Sequence, residues 1–389
     1  MKFFFALLAF AALIGTFNGF ALPVGHTTLT FTDPSRSNRA IPCEIYYPAT
    51  LAGNDQPVYA PNGIEQYPVV VFGHGFVMSV DAYGYLQRAL ASNGYIAVFP
   101  TTESGFTPSH TDFAKDLAFA ALSTVALNDD ITSVFHQRVS ANVAVSGHSM
   151  GGGAAVLSFQ YNLSFKTVFT LAAAETNPSA VAAATSVNVP TVYMVGGNDC
   201  IAPLADHQLP LYEATAGCKY LVNVNGATHC QFGDYNLACT TGETFSGCGI
   251  AGIADTTQHN IVLSWLLPWL DLHLKNNAAA ANDIASLEQN ANGYSVVKSC
   301  SNLSTNNPFA ASNVTTAMID YGLYDVTVND AASPYVNFTV YRVDGMPVSG
   351  GSFLNGENRL SLQKFSPGVY VLACENSRLR LTRKLINLR

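Results

Sequence analysis

The 389-residue sequence predicts an α/β fold: a mainly parallel eight-stranded sheet with helices on both faces, followed by a small C-terminal all-β domain. Three observations carry that expectation. Short apolar runs with no polar alternation recur along the first two thirds of the chain, as in strands covered on both sides. Helical-period segments separate them, and from about residue 321 the pattern changes to strict apolar/polar alternation.

Taken in order, strands are expected at 27–31, 41–47, 68–72, 95–99, 142–146, 165–172, 191–195 and 220–224. From the third onward helices alternate with them, at 81–93, 112–127, 151–161, 203–216 and 258–275. The last helix contains Pro268 and Asp271, and its Trp265 and Trp269, at i and i+4, share one face, so it reads as a core helix. After Lys275 a polar, small-residue stretch begins. Tyr324-Asp325-Val326-Thr327-Val328 and Val336-Asn337-Phe338-Thr339-Val340-Tyr341 then read as half-exposed antiparallel strands.

A chain that is 49% hydrophobic can bury a large core, and its length suits one large domain and one small one. The net charge of −8, with no basic block, argues against nucleic acid as a partner. Residues 1–21 combine one Lys, an apolar run over 3–15 and the small-residue ending Gly19-Phe20-Ala21, the pattern of a signal peptide removed before Leu22. That run falls short of the roughly 20 residues of a membrane span, so no integral membrane segment is expected in the mature chain. The divisions expected are a leader at 1–21, a catalytic domain at 22–275, a linker at 276–317 and a β domain at 318–389.

The most informative stretch is Gly147-His148-Ser149-Met150-Gly151-Gly152, directly after the buried run 142–146. A bare G-x-S-x-G is weak. Placed between a strand and a helix start rich in small residues, it reads as a nucleophile on a sharp turn. Ser149 needs a base, and His229 follows the strand at 220–224; the base needs an acid, and Asp199 follows the strand at 191–195. The order Ser, Asp, His is that of α/β-hydrolases and differs from the orders of chymotrypsin-like and subtilisin-like enzymes. Gly73-His74-Gly75-Phe76, after the strand at 68–72, suits an oxyanion loop, with the backbone N–H groups of Phe76 and Met150 as donors. His74 and His148 read as loop braces.

Glu175, after the strand at 165–172, is the second candidate acid, because some hydrolases place theirs there. Asp206 falls inside the helix expected at 203–216 and reads as a surface or first-turn residue. His26, His110, His136, His207, His259 and His273 lack the strand-end placement of His229 and read as mostly solvated or structural. Export makes the eight cysteines candidates for disulfides, and their spacing fits no metal site. Cys200 and Cys218 sit at opposite ends of parallel strands, about 20 Å apart, too far to pair. Bridges are expected among Cys200, Cys230, Cys239 and Cys248, bracing the loop of His229, with the connectivity open.

With these motifs in place, residues 25–275 resemble the α/β-hydrolase branch that holds dienelactone-hydrolase-like enzymes, cutinase-type esterases and bacterial poly(ethylene terephthalate) hydrolases. Gly197-Asn198-Asp199-Cys200-Ile201-Ala202-Pro203 adds to the motifs above. The resemblance implies a secreted serine carboxyl-ester hydrolase without cofactor or metal, its substrate a short ester or a polyester. It also implies a cleft in which Phe76, Met150 and Ala174 grip an aromatic acyl ring. The departure is Ala174, where those polyesterases carry a Trp, so a wider or less adhesive site is expected; Phe106, Phe232 and Tyr235 are the aromatic residues available in its place. The tail, through Pro367-Gly368-Val369-Tyr370 and the basic strand at 380–386, resembles the sorting domain of type IX secretion, which with the catalytic signature is most like the Bacteroidota polyester hydrolases. That resemblance implies the secretion machinery as a partner. A lipase or phospholipid acyl hydrolase is the alternative activity, disfavoured by the lack of a long apolar lid. A non-catalytic surface protein on the same scaffold is the alternative class, disfavoured by the intact Ser149, Asp199 and His229.

Overall fold

The computed structural model describes residues 21–300, 314–320, 322–328, 335–342, 346–375 and 380–387. The leader expected at 1–21 therefore lies outside the described residues, apart from Ala21. Ten strands form the main sheet: β1 (Val24–Asp33), β2 (Arg39–Pro48), β3 (Gly53–Asn54), β4 (Tyr67–Gly73), β5 (Ile96–Pro100), β6 (Val139–His148), β7 (Thr167–Leu171), β8 (Thr191–Gly196), β9 (Lys219–Val224) and β10 (Tyr294–Ser299). Their spatial order is β10-β9-β8-β7-β6-β4-β5-β2-β1-β3. The six strands from β9 to β5 run parallel, while β2, β1 and β10 join antiparallel.

Every strand expected from the apolar runs is present; β3 and β10 extend the eight to ten. The helices are α1 (Gly84–Ser92), α2 (His110–Ala126), α3 (Met150–Leu157), α4 (Ala180–Ala184), α5 (Gln208–Ala214), α6 (Leu237–Phe245), α7 (Asp255–Leu274) and α8 (Ala280–Gln289). The expectation of a linker beginning at 276 is corrected here. α8 and β10 occupy its first part, with Ile284 and Tyr294 buried against the face that holds Trp265. The open edge of β9 carries unpaired backbone groups that a further strand satisfies, and the Cys218–Cys300 disulfide, with Cα atoms 4.0 Å apart, anchors β10 there.

The helix expected at 203–216 is also shorter. α5 starts at Gln208, which brings Pro210 into its first turn, where a missing N–H costs nothing. Asp206 is thereby left exposed before the helix.

Alternation along the parallel strands divides the interior into two cores. Val69, Val71, Val143, Val145 and Val195 face Phe113 and Leu117 of α2, Ala154 of α3 and Leu211 of α5. Val70, Phe72, Phe169, Met194 and Val222 face Leu86 and Leu90 of α1 and Trp265 and Trp269 of α7. Both tryptophans are core residues, and Trp269 Nε1 donates to Thr167 Oγ1 at 2.7 Å. Among the described residues no helix is long and apolar enough to cross a membrane.

Nearer the C-terminus, β11 (Val314–Asp320), β12 (Leu323–Val328), β13 (Tyr335–Arg342), β14 (Pro347–Leu354), β15 (Gly356–Ser361), β16 (Gly368–Glu375) and β17 (Arg380–Asn387) form two antiparallel sheets, β11-β12-β15 and β14-β13-β16-β17. One core joins them through Tyr324, Val326, Val340, Phe353, Tyr370 and Leu372.

His273, near the end of α7, lies 4.5 Å from the Trp269 ring, and burial pushes its pKa down to about 4. The fold thus holds this imidazole neutral, whereas the unfolded chain takes up a proton near the ordinary value of about 6.5. The unfolded state binds more protons in that window, so stability falls as pH drops from about 6.5 toward 4. His273→Phe keeps a ring against Trp269 and removes the titration. Its melting temperature is expected to fall less steeply over that range; a slope equal to the parent's would contradict the assignment.

Candidate active site

The sheet order places β4 between β5 and β6, so the chain leaves β4 in one direction and β6 lies on the other side. At such a reversal the loops leaving the carboxyl ends of the two strands diverge and open a crevice. The loops at this one are Gly73-His74-Gly75-Phe76 and the turn at Ser149. Backbone packing is tightest here: a Cβ on Gly147 would lie 2.3 Å from the Gly151 carbonyl oxygen, and one on Gly151 would lie 2.1 Å from that of Gly73. Only glycines allow the turn at Ser149 to rest on the β4 loop.

Ser149 itself has φ 54° and ψ −121°, an uncommon conformation for a side chain with a Cβ, which costs of order 1–3 kcal/mol. Hydrogen bonds hold it there. Its N–H donates to Leu171 O at 2.9 Å, and its carbonyl accepts from Ala174 N at 2.9 Å and Gly153 N at 3.1 Å. The same bonds bring Ala174, partly buried, to the rim of the site.

His229 Nε2 lies 2.8 Å from Ser149 Oγ, and His229 Nδ1 lies 2.7 Å from Asp199 Oδ2. All three residues are buried. The second carboxylate oxygen of Asp199 accepts from Ile201 N at 2.9 Å and Ala202 N at 2.8 Å, which fixes the carboxylate plane. Because a carboxylate only accepts, Nδ1 carries the proton and Nε2 offers a lone pair to the hydroxyl. Glu175, the second candidate acid, is turned elsewhere: its Oε2 accepts from Val181 N at 2.9 Å, in the first turn of α4.

Met150 is buried, and Phe76 is half exposed. Among the described residues no acceptor takes the N–H of either, as suits donors reserved for a ligand oxygen. His74 is buried between the carbonyls of Gly75 (2.9 Å) and Thr102 (2.8 Å) and braces this loop. Burial lowers its pKa. Of the substitute aromatic residues, Phe106 and Tyr235 are exposed, whereas Phe232 is fully buried beside His148 and cannot line a cleft. It points inward because a 3-10 turn at Cys230–Phe232 reverses the chain right after His229.

Two disulfides meet one segment. Cys200, next to Asp199, pairs with Cys248, and Cys230, next to His229, pairs with Cys239. The four cysteines expected to pair among themselves do so, and the segment containing α6 ties the loop of Asp199 to the loop of His229. Other supports had no sequence signal, since they come from distant elements. The buried Gln258 accepts from Thr228 N at 3.2 Å and donates to Thr228 O at 3.0 Å. His259, read from sequence as solvated or structural, stacks on Tyr85 at 3.7 Å and bonds to Gly233 O at 3.0 Å. His207 accepts from Glu175 N at 2.9 Å, which puts it beside Ala174 rather than in solvent. No group of metal-ligating side chains gathers among the described residues.

This arrangement supports acyl transfer: a hydroxyl within reach of a neutral imidazole, an imidazole oriented by a carboxylate, and two free N–H groups nearby. Comparison with known proteins points the same way. The sequence profile described as PET hydrolase-like matches residues 44–247, just over half of the chain. Cutinase 2 of Thermobifida cellulosilytica is 28% identical over 174 residues, covering 44% of this chain and 64% of that protein. Cutinase cut1 of Thermobifida fusca is 28% identical over 174 residues, 44% of this chain and 52% of the relative. A bis(hydroxyethyl) terephthalate hydrolase of Streptomyces coelicolor is 28% identical over 198 residues, 48% of this chain and 54% of the relative. The chain thus spans between half and two thirds of the length of these relatives.

Proposed function

The chain belongs to the PET hydrolase-like family, and from that premise we propose that it is a secreted serine carboxyl-ester hydrolase acting on short esters and on aromatic polyesters such as poly(ethylene terephthalate). The observation that carries the reading is the line of hydrogen bonds from Ser149 Oγ through the His229 ring to Asp199. His229 Nε2 takes the Ser149 proton as Oγ attacks the ester carbonyl. The N–H groups of Phe76 and Met150 receive the oxyanion. Collapse of the tetrahedral intermediate expels the alcohol, protonated by His229, and leaves an acyl-enzyme. Water then repeats the sequence and releases the acid. No cofactor enters these steps.

Phe76, Met150 and Ala174 form the acyl cleft in this reading, and the small Ala174 leaves it open on one side. The named activities of the cutinase and bis(hydroxyethyl) terephthalate hydrolase relatives support the ester class. Three disulfides, which persist in oxidising compartments, support export. The reading includes a cleaved leader at 1–21, a catalytic domain that begins at 22, and a β domain at the C-terminus acting as a type IX sorting signal that engages the secretion machinery.

The test is a nitrophenyl ester series from acetyl to palmitoyl together with amorphous polyester film, with soluble aromatic products resolved by chromatography. Fast turnover of short acyl chains and release of terephthalate products are expected. Preference for long acyl chains with no release from film would favour a lipase. No turnover of any ester would leave only a non-catalytic scaffold.

A further inference from the structure

We propose that Tyr83 is a positioning residue whose hydroxyl, through His148, couples the oxyanion loop to the main chain of the general base. The inference rests on the roles proposed above for Phe76, Ser149 and His229. Tyr83 ends a 3-10 turn, Val80–Tyr83, and is fully buried, its ring 4.7 Å from that of Phe72. Its oxygen lies 2.8 Å from Gly75 N and 2.9 Å from His148 Nδ1, and His148 Nε2 lies 3.1 Å from His229 O.

The direction of every bond follows from donor and acceptor chemistry. The His229 carbonyl only accepts, so His148 Nε2 carries the proton and, in a neutral ring, Nδ1 accepts. The Tyr83 hydroxyl donates to Nδ1 and accepts the Gly75 N–H; Met78 Sδ, at 3.3 Å, is a weaker acceptor for the same hydrogen. Burial drives the His148 pKa well below its usual value and raises that of Tyr83, so both groups stay neutral. A one-way chain results: Gly75 N–H to Tyr83, Tyr83 O–H to His148, His148 N–H to the His229 carbonyl. Such chains polarise one another in a dry interior.

The three residues held are one before Phe76, one before Ser149, and His229 itself. Two independent features concentrate control here. A Cβ on Gly75 would lie 2.8 Å from Met78 Sδ and 3.0 Å from His148 Nδ1, so glycine lets the loop pack this close to the relay. The turn that presents Tyr83 is also tied to the base loop directly, through Asp234 N to Ala82 O at 2.6 Å and Tyr85 N to Asp234 Oδ2 at 3.2 Å.

Tyr83→Phe keeps the ring and removes the relay. A fall of about tenfold in kcat, with KM changed less than twofold, is expected on a nitrophenyl ester. His148→Gln, which keeps a donor for the His229 carbonyl, should retain more activity than His148→Phe. Tyr83→Phe added to His148→Phe should cost much less than it does alone. Hydrogen exchange gives a readout independent of turnover: Tyr83→Phe should speed exchange in both 74–77 and 229–233 of the full chain. Wild-type kcat in Tyr83→Phe, full additivity with His148→Phe, or faster exchange limited to the turn at 80–84 would each overturn the coupling. A parent protein inert toward all esters defeats the proposed function instead, and the exchange experiment still decides the coupling. If Tyr83→Phe fails to fold, the His148→Gln and His148→Phe pair carries the same comparison, and equal loss in both counts against it.

Discussion

Ser149→Ala is expected to lower kcat on a nitrophenyl ester by about a millionfold and to abolish labelling by a fluorophosphonate, with melting temperature within a few degrees of the parent. Alanine keeps the Cβ and the unusual backbone of the turn, whose hydrogen bonds to Leu171, Gly153 and Ala174 are all main-chain. Only the oxygen facing His229 Nε2 disappears. A factor of that size corresponds to about 8 kcal/mol of barrier, because without the hydroxyl neither a covalent intermediate nor a proton for His229 to accept exists. Probe incorporation into the variant, or retention of a tenth of the parent rate, would place the nucleophile elsewhere.

Asp199→Asn is expected to cost about 10⁴-fold in kcat, and Glu175→Gln no more than severalfold. Asp199 Oδ1 accepts two backbone N–H groups, so an asparagine would keep its carbonyl oxygen there and turn its NH₂ toward His229 Nδ1. The imidazole would then accept at Nδ1 and carry its proton on Nε2, facing Ser149 with a donor where a base is required. Glu175 spends its carboxylate on a helix N-terminus, and its amide counterpart keeps an oxygen for that bond. Comparison of kcat/KM for the two variants decides the acid. A larger loss in Glu175→Gln would move it.

Much of the architecture was legible in local patterns. Uninterrupted runs such as Val69-Val70-Val71-Phe72 and Val192-Tyr193-Met194-Val195 have no exposed face, so they read as central parallel strands, and they are. Ser149, Asp199 and His229 were candidates because each follows such a run. Less legible were elements without a strong period. α6 buries none of its residues, and disulfides to neighbours of Asp199 and His229 hold it in place. β10 is a strand because β9 offers an edge, and the polar and small residues that follow Lys275 announce neither α8 nor β10. The inward turn of Phe232 belongs with these, whereas the late start of α5 had a local signal in Pro210, which the first turn accommodates.

The order of elements, the layered α/β class and the residue types at the strand ends were determined by the sequence alone, since burial on two faces and turn chemistry act over a few residues. Tertiary structure decided what meets across distance. Ser149 and His229 are 80 residues apart, His229 and Asp199 are 30, and the Tyr83–His148 pair is separated by 65. Such pairings, like the choice of Cys248 for Cys200 and Cys239 for Cys230, follow from the order in which strands lie side by side, and hydropathy along the chain does not encode that order.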